Sequence, residues 1–148
     1  MTKSLLSAFL LCSLGLTAFA AEAKKAVVPA DQKERAKTLP FSPAILTNDG
    51  TLYVSGTTGP GPDGKIPEDF QQEVKNTLDA IRKVMKEANY DLKDAVAVQV
   101  YLTDMSLFPQ MNQVYTQYFT DPRPARTTVG IAKLVGTARI EITVTAKK

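Results

Sequence analysis

The stretch RIEITVTA, Arg139 to Ala146, alternates without a break. Ile140, Ile142, Val144 and Ala146 fall on one side; Arg139, Glu141, Thr143 and Thr145 fall on the other. A strand written this way belongs to a sheet that is covered by apolar groups on one side only. The cover is legible upstream. From Asp69 to Ala88, the residues Phe70, Val74, Leu78, Ile81, Met85 and Ala88 recur at three- and four-residue spacing, the stripe of an amphipathic helix. Its charges, Glu73, Lys75, Arg82, Lys83 and Lys86, read as a solvated face. Asp69 with Gln72 has the pattern of a capping box, and Asn89 is placed to close the far end in the left-handed conformation. A second helix is expected over Leu107 to Phe119, with Pro109 in its first turn, burying Met111, Val114, Tyr115 and Tyr118 or Phe119.

The remaining β-prone runs complete an α+β domain. Ala44 to Thr47 and Leu52 to Ser55 flank Asn48-Asp49-Gly50, a hairpin signal. The valine-rich run Asp94 to Leu102 has no helical period and reads as a buried strand. Ala125 to Ala132 is a further strand, read as the neighbour of Ala138 to Ala146 across KLVGT. Between hairpin and first helix lies TTGPGPDGKIPED, a loop whose glycines lack the spacing of a phosphate-binding motif. The expected order is β-β-α-β-α-β-β, a mixed sheet with both helices on one face.

Residues 1–20 stand apart from this domain. MTKSLLSAFLLCSLGLTAFA carries Lys3, then an apolar run, then Ala18-Phe19-Ala20, the pattern of a cleavable signal peptide and hence of a periplasmic or secreted protein with no membrane association after processing. Residues 21–40 read as a loosely ordered leader with at most one short strand around Lys25 to Val28, and residues 41–148 as the folded domain. The chain of 148 residues contains no histidine and a single cysteine, Cys12, inside the signal. Serine-histidine triads, Cys/His pairs and the common zinc ligand sets are therefore excluded. Its formal net charge of +3 is spread along the chain, so no nucleic-acid footprint is written into it.

Within PARTTVG, Pro124 to Gly130, an arginine opens a β-like run. A guanidinium stays charged at any relevant pH and is costly to bury, so an inward-facing arginine calls for an anion. By the period of two, Arg126 shares a side with Thr128 and Gly130, and this side is expected to be the polar face that also carries Glu141, Thr143 and Thr145. Such a face is either plainly solvated or packed against copies of the same chain. A tight hairpin would place Thr145 nearer to Arg126 than Glu141, so spacing alone does not bring the two charges together.

YVSG at 53–56, the glycine-proline loop, MNQVYTQYF at 111–119, PARTTVG and RIEITVTA together resemble the RidA/YjgF family of small enamine/imine deaminases, from about Phe41 to Lys147. The resemblance implies a chorismate-mutase-like fold, a homotrimer with a central barrel and three clefts between subunits. It also implies a reaction without cofactor or metal: hydrolysis of 2-aminoacrylate-type enamines and their imines to 2-keto acids and ammonia. Carried onto this chain, Arg126 matches the group that pairs with the substrate carboxylate, and Glu141 the group that holds or activates water. Ser55, Gly56, Asn112 and Thr128 match positions lining the cleft, and Phe41 the aromatic residue supplied by a neighbouring subunit. Two departures stand out. The usual Y-S-Q-A segment is here Phe41-Ser42-Pro43-Ala44, without the hydroxyl or the glutamine, and Gly130 replaces a family glutamate, which is expected to open space. The resemblance leaves a second reading, a non-catalytic envelope binding or chaperone-like protein that uses the same clefts for small carboxylates. RNA cleavage, attached to some relatives, runs against the charge pattern and the missing histidines.

Overall fold

In the computed structural model, residues 23–148 are described; the signal-peptide reading of residues 1–20 lies outside them. The elements are β1 (Lys24–Val27), α1 (Lys33–Ala36), β2 (Ala44–Thr47), β3 (Thr51–Thr57), α2 (Phe70–Glu87), β4 (Ala95–Leu102), α3 (Phe108–Tyr118), β5 (Ala125–Gly130) and β6 (Ile140–Lys147). They form one mixed sheet in the order β1-β2-β3-β6-β4-β5. Every neighbouring pair is antiparallel except β4 and β5. Within the segment read as a leader, β1 pairs with β2 and adds an edge strand, and Asp31 beside α1 is salt-bridged to Lys83 of α2.

The helix stripe buries where its period says it should: Val74, Leu78, Ile81 and Met85 have no exposed surface. Asp69 caps α2 by accepting from the Gln71 backbone N–H at 3.0 Å. The capping box does not form, because the Gln72 amide instead donates to Asn76 at 2.8 Å. Asn89 closes the helix at φ 63°, as its side chain permits. Glu73, expected on the wet face, is fully buried along with Thr77. Both stand one turn apart on the same stripe as Phe70 and Val74, and β3, the start of β6 and the loop after β3 cover that part of it. Gly59 is the tightest point of this cover. A Cβ there would run into the Glu73 carbonyl oxygen and lie 2.6 Å from Thr77 Oγ1 and 2.9 Å from Thr77 N. Helix backbone cannot yield, so Gly59→Ala is expected to cost about 1–3 kcal/mol of unfolding free energy, measured by urea denaturation at fixed protein concentration.

The ends of the chain depart from the expected layout. β5 and β6 are not neighbours: β4 lies between them, parallel to β5 and antiparallel to β6. The nine-residue connection 131–139 passes the end of β4 instead of turning tightly. In this register Arg126 and Thr128 align with Val98 and Val100, which align in turn with Val144 and Ile142, all on the helix-covered face. Glu141 aligns with Tyr101 and Val129 on the opposite face, with Thr143 and Thr145. The single polar face expected to carry Arg126, Thr128 and Glu141 is thus divided between the two sides of the sheet. β4, expected to be buried, is dry only on the side of Val98, Val100 and Leu102; Val96, turned to the other side by a register shift between Ala95 and Ala97, is 48% exposed.

Candidate functional site

The predicted site residues gather in two groups. The first surrounds Glu141. Its carboxylate lies over Gly56, where an added Cβ would stand 2.9 Å from the Glu141 Cδ. A register shift between Val54 and Thr57 bends β3 at this point and lets the glycine meet the side chain from β6. Ser55 ties the same bend to the preceding loop: its N–H donates to the Pro43 carbonyl at 3.0 Å and its Oγ donates to the Ser42 carbonyl at 2.7 Å. The Ser55 hydroxyl has used its proton and faces any ligand as an acceptor. That loop carries Phe41, which is 53% exposed.

The second group surrounds Arg126 at the edge strand β5. Parallel pairing with β4 lays the arginine over the first turns of α3. Its guanidinium carbon stands 4.5 Å from the centroid of the Tyr115 ring and 5.5 Å from that of Phe108, and Nη1 lies 3.9 Å from the Met111 sulfur. Among the described residues no carboxylate pairs with it. Asn112 sits on the same helix, half-buried. Thr128 follows Arg126 on the same face, and its Oγ1 is buried without a hydrogen-bond partner, as is the Tyr115 hydroxyl. Burial of Tyr115 pushes its phenol above the usual range, although Arg126 and Arg123 pull the other way. The space expected at Gly130 is filled: a Cβ there would meet Met105 Cγ at 2.8 Å and Sδ at 3.3 Å. Phe108, Met111 and Tyr115 make one face of α3. The helical period marks two of them as buried, but only the parallel β4–β5 pairing shows that they carry Arg126.

Within one chain the two groups do not meet. Arg126, Thr128 and Asn112 belong to the helix side at one sheet edge, whereas Glu141 projects from the other face of a strand two places away, beside Gly56, Ser55 and the Phe41 loop. The open face also carries exposed apolar side chains, with Tyr53 51%, Val96 48% and Val129 40% exposed.

The six-stranded mixed sheet under two main helices is a chorismate-mutase-like α+β domain. Residues 32–148 match the family model described as Endoribonuclease L-PSP. A RutC family protein of Aquifex aeolicus is 36% identical over 112 residues, covering 74% of this chain and 89% of its own. The 2-iminobutanoate/2-iminopropanoate deaminase of Bos taurus is 36% identical over 105 residues, covering 70% of this chain and 76% of that protein. Among solved structures, yeast Mmf1 superposes with a TM-score of 0.73 at 28% identity, covering 84% of this chain and 98% of Mmf1. E. coli TdcF with bound serine gives a TM-score of 0.68 at 26% identity, covering 74% and 89%. The chain belongs to the RidA/YjgF family, in which imine deamination is an enzymatic activity.

Proposed function

We propose that this chain is an enamine/imine deaminase that works as a homotrimer, with each cleft built from the Arg126 group of one copy and the Glu141 group of the next. The observation that carries the reading is Arg126: a permanent cation, set over two aromatic rings, with no carboxylate partner among the described residues. The relative named as a 2-iminobutanoate/2-iminopropanoate deaminase supplies a fitting substrate class, a small planar acid. Two parallel N–H bonds from the guanidinium edge hold such a carboxylate in position and orientation. The exposed apolar residues of the open sheet face support assembly, since a second copy placed there would cover them.

The chemistry asks for little beyond orientation, a held water and a proton acceptor. Arg126 anchors the carboxylate of the iminium acid. Water held by Glu141 adds through its oxygen to the electrophilic C2, and Glu141 takes the proton. The proton then passes from Glu141 to nitrogen; as the C–N bond breaks, the new hydroxyl group gives its proton to Glu141, its oxygen becomes the carbonyl oxygen, and ammonia leaves a 2-keto acid. Backbone groups of Gly56 and Thr128 complete the walls, and no cofactor takes part. With residues 1–20 as an export signal, the mature enzyme acts in the periplasm or outside the cell.

The test is ammonia release from 2-iminopropanoate generated in situ by an amino-acid oxidase, measured on the purified mature protein. Release well above the uncatalysed rate supports the reading. A protein that is stabilised thermally by 2-keto acids yet releases no extra ammonia is instead the non-catalytic binding protein. Gly56→Ala probes the Glu141 half. The new methyl group displaces a flexible carboxylate rather than backbone. Activity is expected to fall by about 10- to 100-fold, with an unchanged melting temperature.

A further inference from the structure

Arg126 stands on an edge strand, where a long side chain on an open border has many rotamers to choose from. What limits it here is a shelf of core residues. We infer that Tyr115 is a positioning residue for Arg126: the face of its ring sets the plane of the guanidinium and leaves the N–H groups not turned to the Met111 sulfur free for a ligand. This inference rests on the reading of Arg126 as the carboxylate-binding group and adds a residue that acts through it.

Three observations carry the assignment. The guanidinium carbon lies closer to the Tyr115 centroid, at 4.5 Å, than to that of Phe108, at 5.5 Å, so Tyr115 is the principal surface and Phe108 a flank. Tyr115 is itself immobilised, being 3% exposed and stacked on Phe119 with centroids 4.4 Å apart. Its hydroxyl has no hydrogen-bond partner, so the contact with Arg126 is made through the ring. Stacking orients a guanidinium without occupying any of its five donors, whereas a carboxylate partner would orient it, occupy the fork and cancel its charge. The buried phenol also resists ionisation. It therefore brings no negative charge that would compete with an anionic ligand.

The rival account is that Tyr115 only fills the core. Binding of 2-oxobutanoate, followed by calorimetry, separates the two. Tyr115→Phe keeps the ring and is expected to bind within about twofold of the parent, whereas Tyr115→Leu is expected to bind about three- to thirty-fold more weakly. Phe108→Leu, at a half-buried position, should lose less in the same direction. In an Arg126→Lys background, Tyr115→Leu should cause no further loss, because the planar group it positions is gone. A second readout does not depend on any ligand: the Arg126 Nε–H resonance, identified by its loss in Arg126→Lys, should be shifted upfield by the ring and return to the ordinary position in Tyr115→Leu. Equal binding and an unmoved resonance in Tyr115→Leu would overturn the inference, as would a Tyr115→Phe variant that loses as much as the leucine, or a loss that persists with lysine at 126. Should Tyr115→Leu fail to fold, Phe108→Leu is read by the same resonance, where no shift counts against the shelf. A parent protein that binds no 2-oxobutanoate defeats the functional reading alone, and the resonance still decides the positioning.

Discussion

Replacing Glu73 with alanine is expected to lower the unfolding free energy by about 3–5 kcal/mol, the range for breaking a buried ion pair from one side. The Glu73 side chain has no exposed surface, and its carboxylate joins three segments. Oε2 accepts from Arg139 Nε and Oε1 from the Arg139 backbone N–H, both at 2.7 Å. The same guanidinium donates onward to the carbonyls of Pro67, at 2.6 Å, and Glu68, at 3.0 Å, where the glycine-proline loop enters α2. Without Glu73 the backbone N–H groups of Arg139 and Ile140, where the chain enters β6, lose their acceptor, and the arginine, only 31% exposed, is left short of partners.

Arg139→Ala should cost at least as much, because it strands the fully buried carboxylate. Glu73→Gln should fall between, since an amide can accept one of the two bonds but turns a donor toward Arg139 Nε. Changing both residues to methionine is expected to recover part of the loss, since then no uncompensated charge remains. Urea denaturation at one fixed protein concentration reads all four variants. Costs near zero for Glu73→Ala would mean that water reaches this pair freely.

Much of this framework could be read before any coordinates. The α2 stripe, the left-handed closure at Asn89, the turn at Gly50 and the alternation of β6 are local patterns, settled by residues three or four positions apart or by neighbours in one strand. Glu73 was misread for a local reason as well: its charge outweighed its position, although position 73 lies one turn from Phe70 on the buried stripe. The phase of Arg126 against Glu141 was beyond reach. Alternation tells which residues of one strand share a side; it does not tell which side of β5 matches which side of β6. That depends on the parallel pairing with β4, a contact across a helix in sequence, and on a connection long enough to pass β4.

The same limit hid the surroundings of the site. Tyr115 was legible as buried, but its role under Arg126 follows only once β5 lies above α3. Gly56 was legible through the resemblance alone. The structure adds a physical requirement for glycine: the Glu141 side chain fills the volume a Cβ would take. Gly130 shows the reverse, since a glycine expected to leave room is covered by Met105.

Arg126→Ala is expected to abolish 2-keto acid binding in the micromolar-to-millimolar range and to remove deamination, while the protein stays folded. The expectation of an intact fold comes from the surroundings: Arg126 is exposed on an edge strand, pairs with no carboxylate among the described residues, and contacts core residues only through ring faces and a sulfur. The loss of function follows from the contact it would remove. A bidentate, charge-assisted pair in a cleft closed by a second copy is worth about 2–5 kcal/mol, or roughly 30- to 5,000-fold in affinity. Arg126→Lys separates charge from shape, because an ammonium keeps the attraction but loses the planar fork and the stacking on Tyr115. It should fall between parent and alanine, with a weaker Kd for 2-oxobutanoate and a larger fractional loss in kcat than a charge deficit alone would give, because a carboxylate held at one point can turn its C2 away from the water at Glu141. The measurements are sedimentation to confirm that assembly is unchanged, then calorimetry and ammonia release on the three proteins side by side. An alanine variant that assembles, binds and turns over like the parent would leave Arg126 as a surface cation, and the carboxylate would have to be held from the Glu141 side of the cleft, where the described residues place Ser55 and backbone but no second arginine.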